Sequence, residues 1–139
     1  MTLHVTETDD LAACHALRRT VFIDEQGVSE ADEMDDLDAG AVHLLALDGD
    51  RPIGTARLLL QGDTGKITRV CVLAEGRGTG AGAALINAAI ASLRDRGAAQ
   101  AKLGSQCHAI GFYERLGFEV YGPVYDDAGI PHRDMVRRL

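Results

Sequence analysis

Residues 77 to 82 read Arg-Gly-Thr-Gly-Ala-Gly, between a β-branched run from Ile67 to Leu73 and an apolar-periodic stretch from Ala83 to Leu93. The order strand, glycine loop, helix start brings unhindered backbone N–H groups and the positive end of a helix dipole to one point. Arg77, Gly78, Thr79, Gly80, Ala81, Gly82 and Ala83 are thus expected to hold a phosphate or pyrophosphate, with the Arg77 side chain beside it. Cys14, Cys71 and Cys107 are odd in number, far apart and without a Cys-x-x-Cys spacing, which signals neither a disulfide framework nor a zinc site. No metal is expected.

The net charge of −7 argues against a nucleic-acid partner, because such binding draws on Lys and Arg to neutralise phosphates. The acid is also unevenly placed. Ten carboxylates (Asp24, Glu25, Glu30, Asp32, Glu33, Asp35, Asp36, Asp38, Asp48, Asp50) occur in a stretch with no Lys or Arg. This run reads either as a solvated loop or as a rim whose field attracts a cationic substrate. It lacks the alternating ligands, the glycine and the closing Glu of a calcium loop. The length of 139 residues fits a single domain, 1–139. No apolar run approaches the roughly 20 residues of a membrane span, and Met1 to Glu7 lacks signal-peptide regions, so no membrane partner and a cytoplasmic location are expected.

These residues need a frame to position them. Leu3 to Val5 reads as a strand, and Thr8 as the cap of a helix with Asp9 and Asp10 in its first turn and Leu11, Cys14, Leu17, Val21 and Phe22 at helical spacing. Val42 to Leu47, Ile53 to Leu60 and the strand at 66 to 73 form an antiparallel meander through turns at 48–52 and 62–65. After the glycine loop comes a helix ended by Gly97, then a strand at 100–104 that should lie parallel to the one at 66–73. A helix over Ala109 to Leu116 follows, and strands at 118–121 and 132–138 close the sheet. The fold class is α/β with a mixed sheet.

A Walker loop would need Ser or Thr after Gly65-Lys66, where Ile67 stands. A dinucleotide fold would need a βαβ repeat and an acidic residue at the end of the next strand, which here is Gly104-Ser105. The chain instead resembles, over nearly its whole length, the GNAT superfamily of acyl-CoA-dependent N-acetyltransferases. The family's pyrophosphate motif is matched by Arg77, Gly80 and Gly82, and its second motif by Gln106-Cys107-His108-Ala109-Ile110-Gly111-Phe112-Tyr113 with Gly117-Phe118. Val21 to Gln26, the acidic stretch, His43 and Gly129-Ile130-Pro131-His132 resemble the ElaA-like subgroup, which also carries Gln at the position of Gln106.

The resemblance implies a GNAT fold: a mixed, mostly antiparallel sheet whose central parallel pair is splayed for acetyl-CoA, flanked by helices. It implies that Val70, Cys71 and Val72 offer backbone groups to pantetheine, that Gln106 and Phe112 line the same cofactor site, and that Tyr113 both contacts acetyl-CoA and protonates the departing thiolate. Read from spacing alone, Phe112-Tyr113 is first an apolar helix face packed on the sheet. Many GNAT proteins place a carboxylate where this chain has Thr68, which cannot act as a base; Glu25, His43 and His108 are the candidates, with His132 behind them. Phe22, Gln26, Arg69 and His132 are expected on the acceptor side. Arg69 reads as a ligand for an acceptor carboxylate or as an internal ion pair with the acidic segment.

The implied activity is acetyl transfer from acetyl-CoA to a primary amine of a small molecule or peptide, with the acidic run favouring a cationic acceptor. The alternative is an acyl-CoA-binding sensor without turnover. A homodimer is left open.

Overall fold

The computed structural model describes residues 2–139. Seven strands form one sheet: β1 Leu3–Thr8, β2 Val42–Asp48, β3 Arg51–Gln61, β4 Thr64–Val72, β5 Gln100–Gln106, β6 Glu119–Asp127 and β7 Ile130–Arg138, in the spatial order β1-β2-β3-β4-β5-β7-β6. Only β4 and β5 run parallel. The helices are α1 Leu11–Arg18, α2 Glu30–Glu33, α3 Ala81–Asp95 and α4 Ile110–Arg115, with a π-helical segment at Arg19–Glu25. Among the described residues no helix is long and apolar enough to cross a membrane.

Period-two alternation divides the sheet between two cores. Leu44 and Ala46 of β2 pack with α3 residues Leu85, Ile86, Ala89 and Leu93, whereas Leu45 joins Cys14, Leu17 and Val21 on the α1 face. Leu93 also explains Gly65, where an added Cβ would sit within 3 Å of three Leu93 side-chain carbons.

The first helix differs from its expected start. Asp10, not Thr8, is the cap: its carboxylate accepts from the Ala13 N–H at 3.1 Å, while the Thr8 hydroxyl accepts from the Asp10 N–H at 3.0 Å. The helix then widens. The Gln26 N–H reaches the Val21 carbonyl five residues back at 3.1 Å, and this turn keeps Val21 in the core while Phe22, Glu25 and Gln26 face the cleft beside β4.

The α1 face also carries a buried ionic layer. Arg18 and Arg57 are each 2% exposed. Arg18 grips Glu33 through Nε and Nη2 at 2.7 and 3.0 Å and reaches Asp38 at 2.9 Å; Arg57 binds both oxygens of Asp35 at 2.7 and 2.9 Å and Asp38 at 2.9 Å. Half of the acidic run is therefore paired with arginine: Glu33, Asp35 and Asp38 in this layer, and Glu30 with Arg19 and Glu25 with Arg77 nearer the surface.

The Arg57 hydrogen bonds hold the Asp35 carboxyl below its ordinary range; at Asp38 burial works in the opposite sense but is outweighed by bonds from Arg18, Arg57 and His15. Groups whose folded pKa is depressed add stability above their unfolded pKa of about 4 and lose it as pH falls through the folded value. The urea midpoint should accordingly stay nearly flat from about pH 7 to 5 and drop steeply below about 4. A loss centred between pH 7 and 5 would point to histidine instead.

Candidate active site

β4 and β5 pair only at Thr64–Lys66 with Gln100–Lys102 and then part. β4 stays bonded to β3, and β5 to β7, so the edges facing the gap have no strand partner. The resulting cleft has a volume of about 630 Å³.

A bulge shapes the β4 wall. Ile67 packs with the α3 core and Cys71 with the α1 core, although four residues of regular strand would put them on the same face. The extra residue is Arg69, a non-glycine residue at φ +54°, where the register against β3 shifts between Thr55 and Arg57. Thr68 and Arg69 consequently both turn to the α1 side. Thr68 Oγ1 accepts from Arg57 Nε at 3.0 Å, and Arg69 Nη2 donates to the Glu33 carbonyl at 2.9 Å and to Asp35 at 3.3 Å. Thr68 is thus a rest for a buried arginine. Arg69 lines the cleft, but its charge is shared with the acidic segment.

The glycine loop closes one end of the gap. Gly78 and Gly80 take φ of +75° and +91°, and Gly80 is the left-handed N-cap of α3. Among the described residues no protein acceptor takes the amide protons of Gly78, Thr79, Gly80, Ala81, Gly82 or Ala83. An added Cβ at Gly82 would lie 3.3 Å from Phe112 Cζ, so the absent side chain lets α4 close against the first turn of α3. Unused donors on a helix of fifteen residues fit a pyrophosphate. Arg77 Nε donates to the Val72 carbonyl at 3.1 Å, and its Nη2 is held by Glu25.

That pair has a consequence for both residues. Glu25 is occupied as a base, and Arg77 carries an internal carboxylate where a phosphate would compete. Glu25→Gln is expected to tighten acetyl-CoA binding up to about fivefold, the scale of a partly exposed ion pair. Titration calorimetry showing weaker binding would contradict this arrangement.

The structure places the other expected residues as follows. Val70, Cys71, Val72, Gln106, Tyr113, Phe22, Gln26, His108 and His132 join Glu25, Arg69 and Arg77 around the cleft. Burial pushes the Cys71 thiol up to about 12, so its contribution is backbone only. His43 is not in the cleft: it is 5% exposed, its Nε2 is 2.8 Å from the Asp38 carbonyl, and it opens onto a separate surface hollow with Glu7 and Arg96. Its ring serves the loop that carries the ionic layer.

Tyr113 reaches the cleft from α4, with its ring edge-on to Phe112 at 5.0 Å and Phe118 at 6.1 Å. Burial raises its phenol to about 12, and its hydroxyl makes no hydrogen bond among the described residues. It is a protonated donor free for a ligand. His108 Nε2 lies 2.7 Å from Gln106 Oε1, and Gln106 Nε2 donates to Gln26 Oε1 at 3.0 Å, which ties β5 to the π-helical segment across the cleft.

One wall residue escaped the sequence reading. Tyr125 of β6 stacks on His132 with centroids 5.8 Å apart, and its hydroxyl donates to Asp134 at 2.8 Å. Its phenol lies where a side chain at position 104 would project, so Gly104 is the signal that could have revealed it: an isolated strand glycine marks a close approach.

Comparison with known proteins agrees with this geometry. The family model for an acetyltransferase (GNAT) domain matches residues 10–139. ElaA of Escherichia coli is 32% identical over 144 residues, covering 99% of this chain and 94% of ElaA. The ElaA crystal structure superimposes with a TM-score of 0.86, covering 97% of this chain and 99% of that one. A crystal structure from Lactobacillus plantarum, solved as a candidate N-acetyltransferase, gives 0.91 at 31% identity, covering 100% and 99% of the two chains. An acyl-CoA N-acyltransferase from Pseudomonas aeruginosa gives 0.84 at 29% identity, covering 97% of each.

Proposed function

The chain belongs to the GNAT family and is an acyl-CoA-dependent N-acetyltransferase, and from that premise we propose that it moves acetyl from acetyl-CoA to a primary amine carrying a second positive charge. The observation that carries this reading is the parting of β4 from β5 beside a helix start with unused amides. In it, the loop from Arg77 to Ala83 holds the pyrophosphate, and the strand edges at Val70 to Val72 pair with the pantetheine arm. The bulge at Arg69 aims backbone donors at the thioester carbonyl, where preorganised N–H groups stabilise developing negative charge. Tyr113 supplies the proton to sulfur.

The acceptor preference rests on fewer carboxylates than the acidic run contains. Within the cleft Glu25 and Glu33 are paired with arginines, whereas Asp32 and Asp127 have no ion-pair partner among the described residues and stand at the mouth. Thiol release should be followed with 1,4-diaminobutane, glucosamine and n-butylamine as acceptors. The diamine is expected to be the best of them, its KM rising several-fold between about 0.05 and 0.5 M salt through screening. Asp32→Asn with Asp127→Asn should reduce that preference to a similar degree. Equal use of all three amines would refute the charge assignment, and acetyl-CoA binding with no thiol release would favour the sensor reading.

A further inference from the structure

Resting on the transferase reading, we infer that the proton lost by the attacking amine is taken by Nε2 of His132. His132 is 9% exposed and forms part of the cleft wall. Its Nδ1 lies 2.7 Å from the Ile130 carbonyl. A carbonyl only accepts, so Nδ1 carries the ring proton and the neutral ring presents its lone pair at Nε2. Nε2 has no hydrogen-bond partner among the described residues.

The ring is fixed in two directions. The Ile130 carbonyl sets its rotation in plane, and Tyr125 covers one face at an interplanar angle of 26°. Tyr125 is itself anchored by Asp134 on the same strand as His132 and lies across Gly104 of β5. Tyr125 and Asp134 are positioning residues. This arrangement differs from a ligand-binding histidine on a free side chain, whose orientation would be set by the ligand.

The other candidates are committed elsewhere. Glu25 is held by Arg77, and His43 lies outside the cleft. His108 is exposed and its Nε2 is taken by Gln106 Oε1 at 2.7 Å, so the ring is held at the rim by a neutral side chain. The titratable and charged groups around His132 are Tyr125, Asp126 and Asp127 from β6, Arg133 and Asp134 from its own strand, and His108 and Tyr113 from the segment that follows β5, with uncharged Gln106 opposite on β5. None forms an ion pair with the ring. Asp126 accepts from the Gly129 N–H, and Asp134 is taken by Tyr125.

The step balances without a further reagent. The reacting nitrogen binds as the free base, its ammonium proton having passed to solvent; it forms its bond to the carbonyl carbon and gives its second proton to His132 Nε2 as the carbon–sulfur bond breaks. The sulfur takes its proton from Tyr113. Solvent then removes the proton from His132 and restores the one on Tyr113.

The test uses the full chain with acetyl-CoA and 1,4-diaminobutane, and kcat is measured from about pH 5.5 to 9 for wild type, His132→Ala and His132→Gln. Both variants should lose about 10² or more in kcat while binding acetyl-CoA within about threefold of wild type, and the acidic limb should keep only the slope due to the acceptor's own ionisation. Added imidazole should recover at least about tenfold in His132→Ala and nothing in wild type, a response a merely structural histidine would not give. His132→Gln retains a donor near Ile130, and so keeps the test open if the alanine variant folds poorly. Retention of more than about a third of wild-type kcat with an unchanged acidic limb overturns the assignment and leaves the transferase reading intact. Wild type that binds acetyl-CoA but releases no thiol with any amine overturns both.

Discussion

Tyr113→Phe is expected to lower kcat about 10²-fold, or about 2.7 kcal/mol of transition-state stabilisation, while acetyl-CoA affinity stays within about threefold. Among the described residues the hydroxyl makes no hydrogen bond, so its removal leaves none of their groups unsatisfied, and the edge-on contacts with Phe112 and Phe118 survive in phenylalanine. The loss should therefore appear in turnover rather than stability. Burial that raises the phenol to about 12 keeps it protonated throughout the working range, so the variant's defect should be independent of pH below about 9. Pre-steady-state thiol release is the direct reading, because it separates chemistry from product departure. Unchanged single-turnover rates would reduce Tyr113 to an apolar face of α4.

Arg57→Ala is expected to cost about 3–5 kcal/mol in urea-monitored stability. At 2% exposure the guanidinium is the shared partner of Asp35, Asp38 and Thr68; its loss leaves Asp35 only the longer arginine contact, from Arg69 at 3.3 Å, leaves Asp38 to Arg18 and His15, and opens a void under α1. Arg57→Lys keeps the charge but not the planar fork, so it should recover only part of this. The damage should also reach catalysis: Arg57 holds Thr68, the residue immediately before the bulge that aims β4 at the cleft. A loss below about 1 kcal/mol would mean that water enters the layer and screens the pairs.

The glycine loop was legible as the turn between β4 and α3 because its glycines leave the backbone unhindered, and two of them adopt the left-handed conformation. The order of elements followed from hydrophobic period, with strands running longer than the apolar cores that signalled them; β6, for instance, extends to Asp127. The acidic run was ambiguous for a physical reason. Its partners, Arg18 and Arg57, lie 15 to 22 positions away, and nothing in a linear stretch of Asp and Glu says which carboxylates will be turned inward. The bulge was equally hidden, because an ordinary arginine at φ +54° leaves no mark in composition. His43 and His132 looked alike as residues; only the strand register puts one behind the ionic layer and the other beside Tyr125.

Acetyl transfer to an amine in the cleft between β4 and β5 must put label on nitrogen and free one thiol together. The most direct measurement is a single-turnover reaction of enzyme with acetyl-labelled acetyl-CoA and excess 1,4-diaminobutane, with mass spectrometry of the amine and simultaneous titration of free thiol. Label should appear on nitrogen in equal amount to the thiol released, at a rate that saturates with amine. Acetyl-CoA bound to the protein with thiol appearing no faster than in enzyme-free buffer, and no label on the amine, would contradict it.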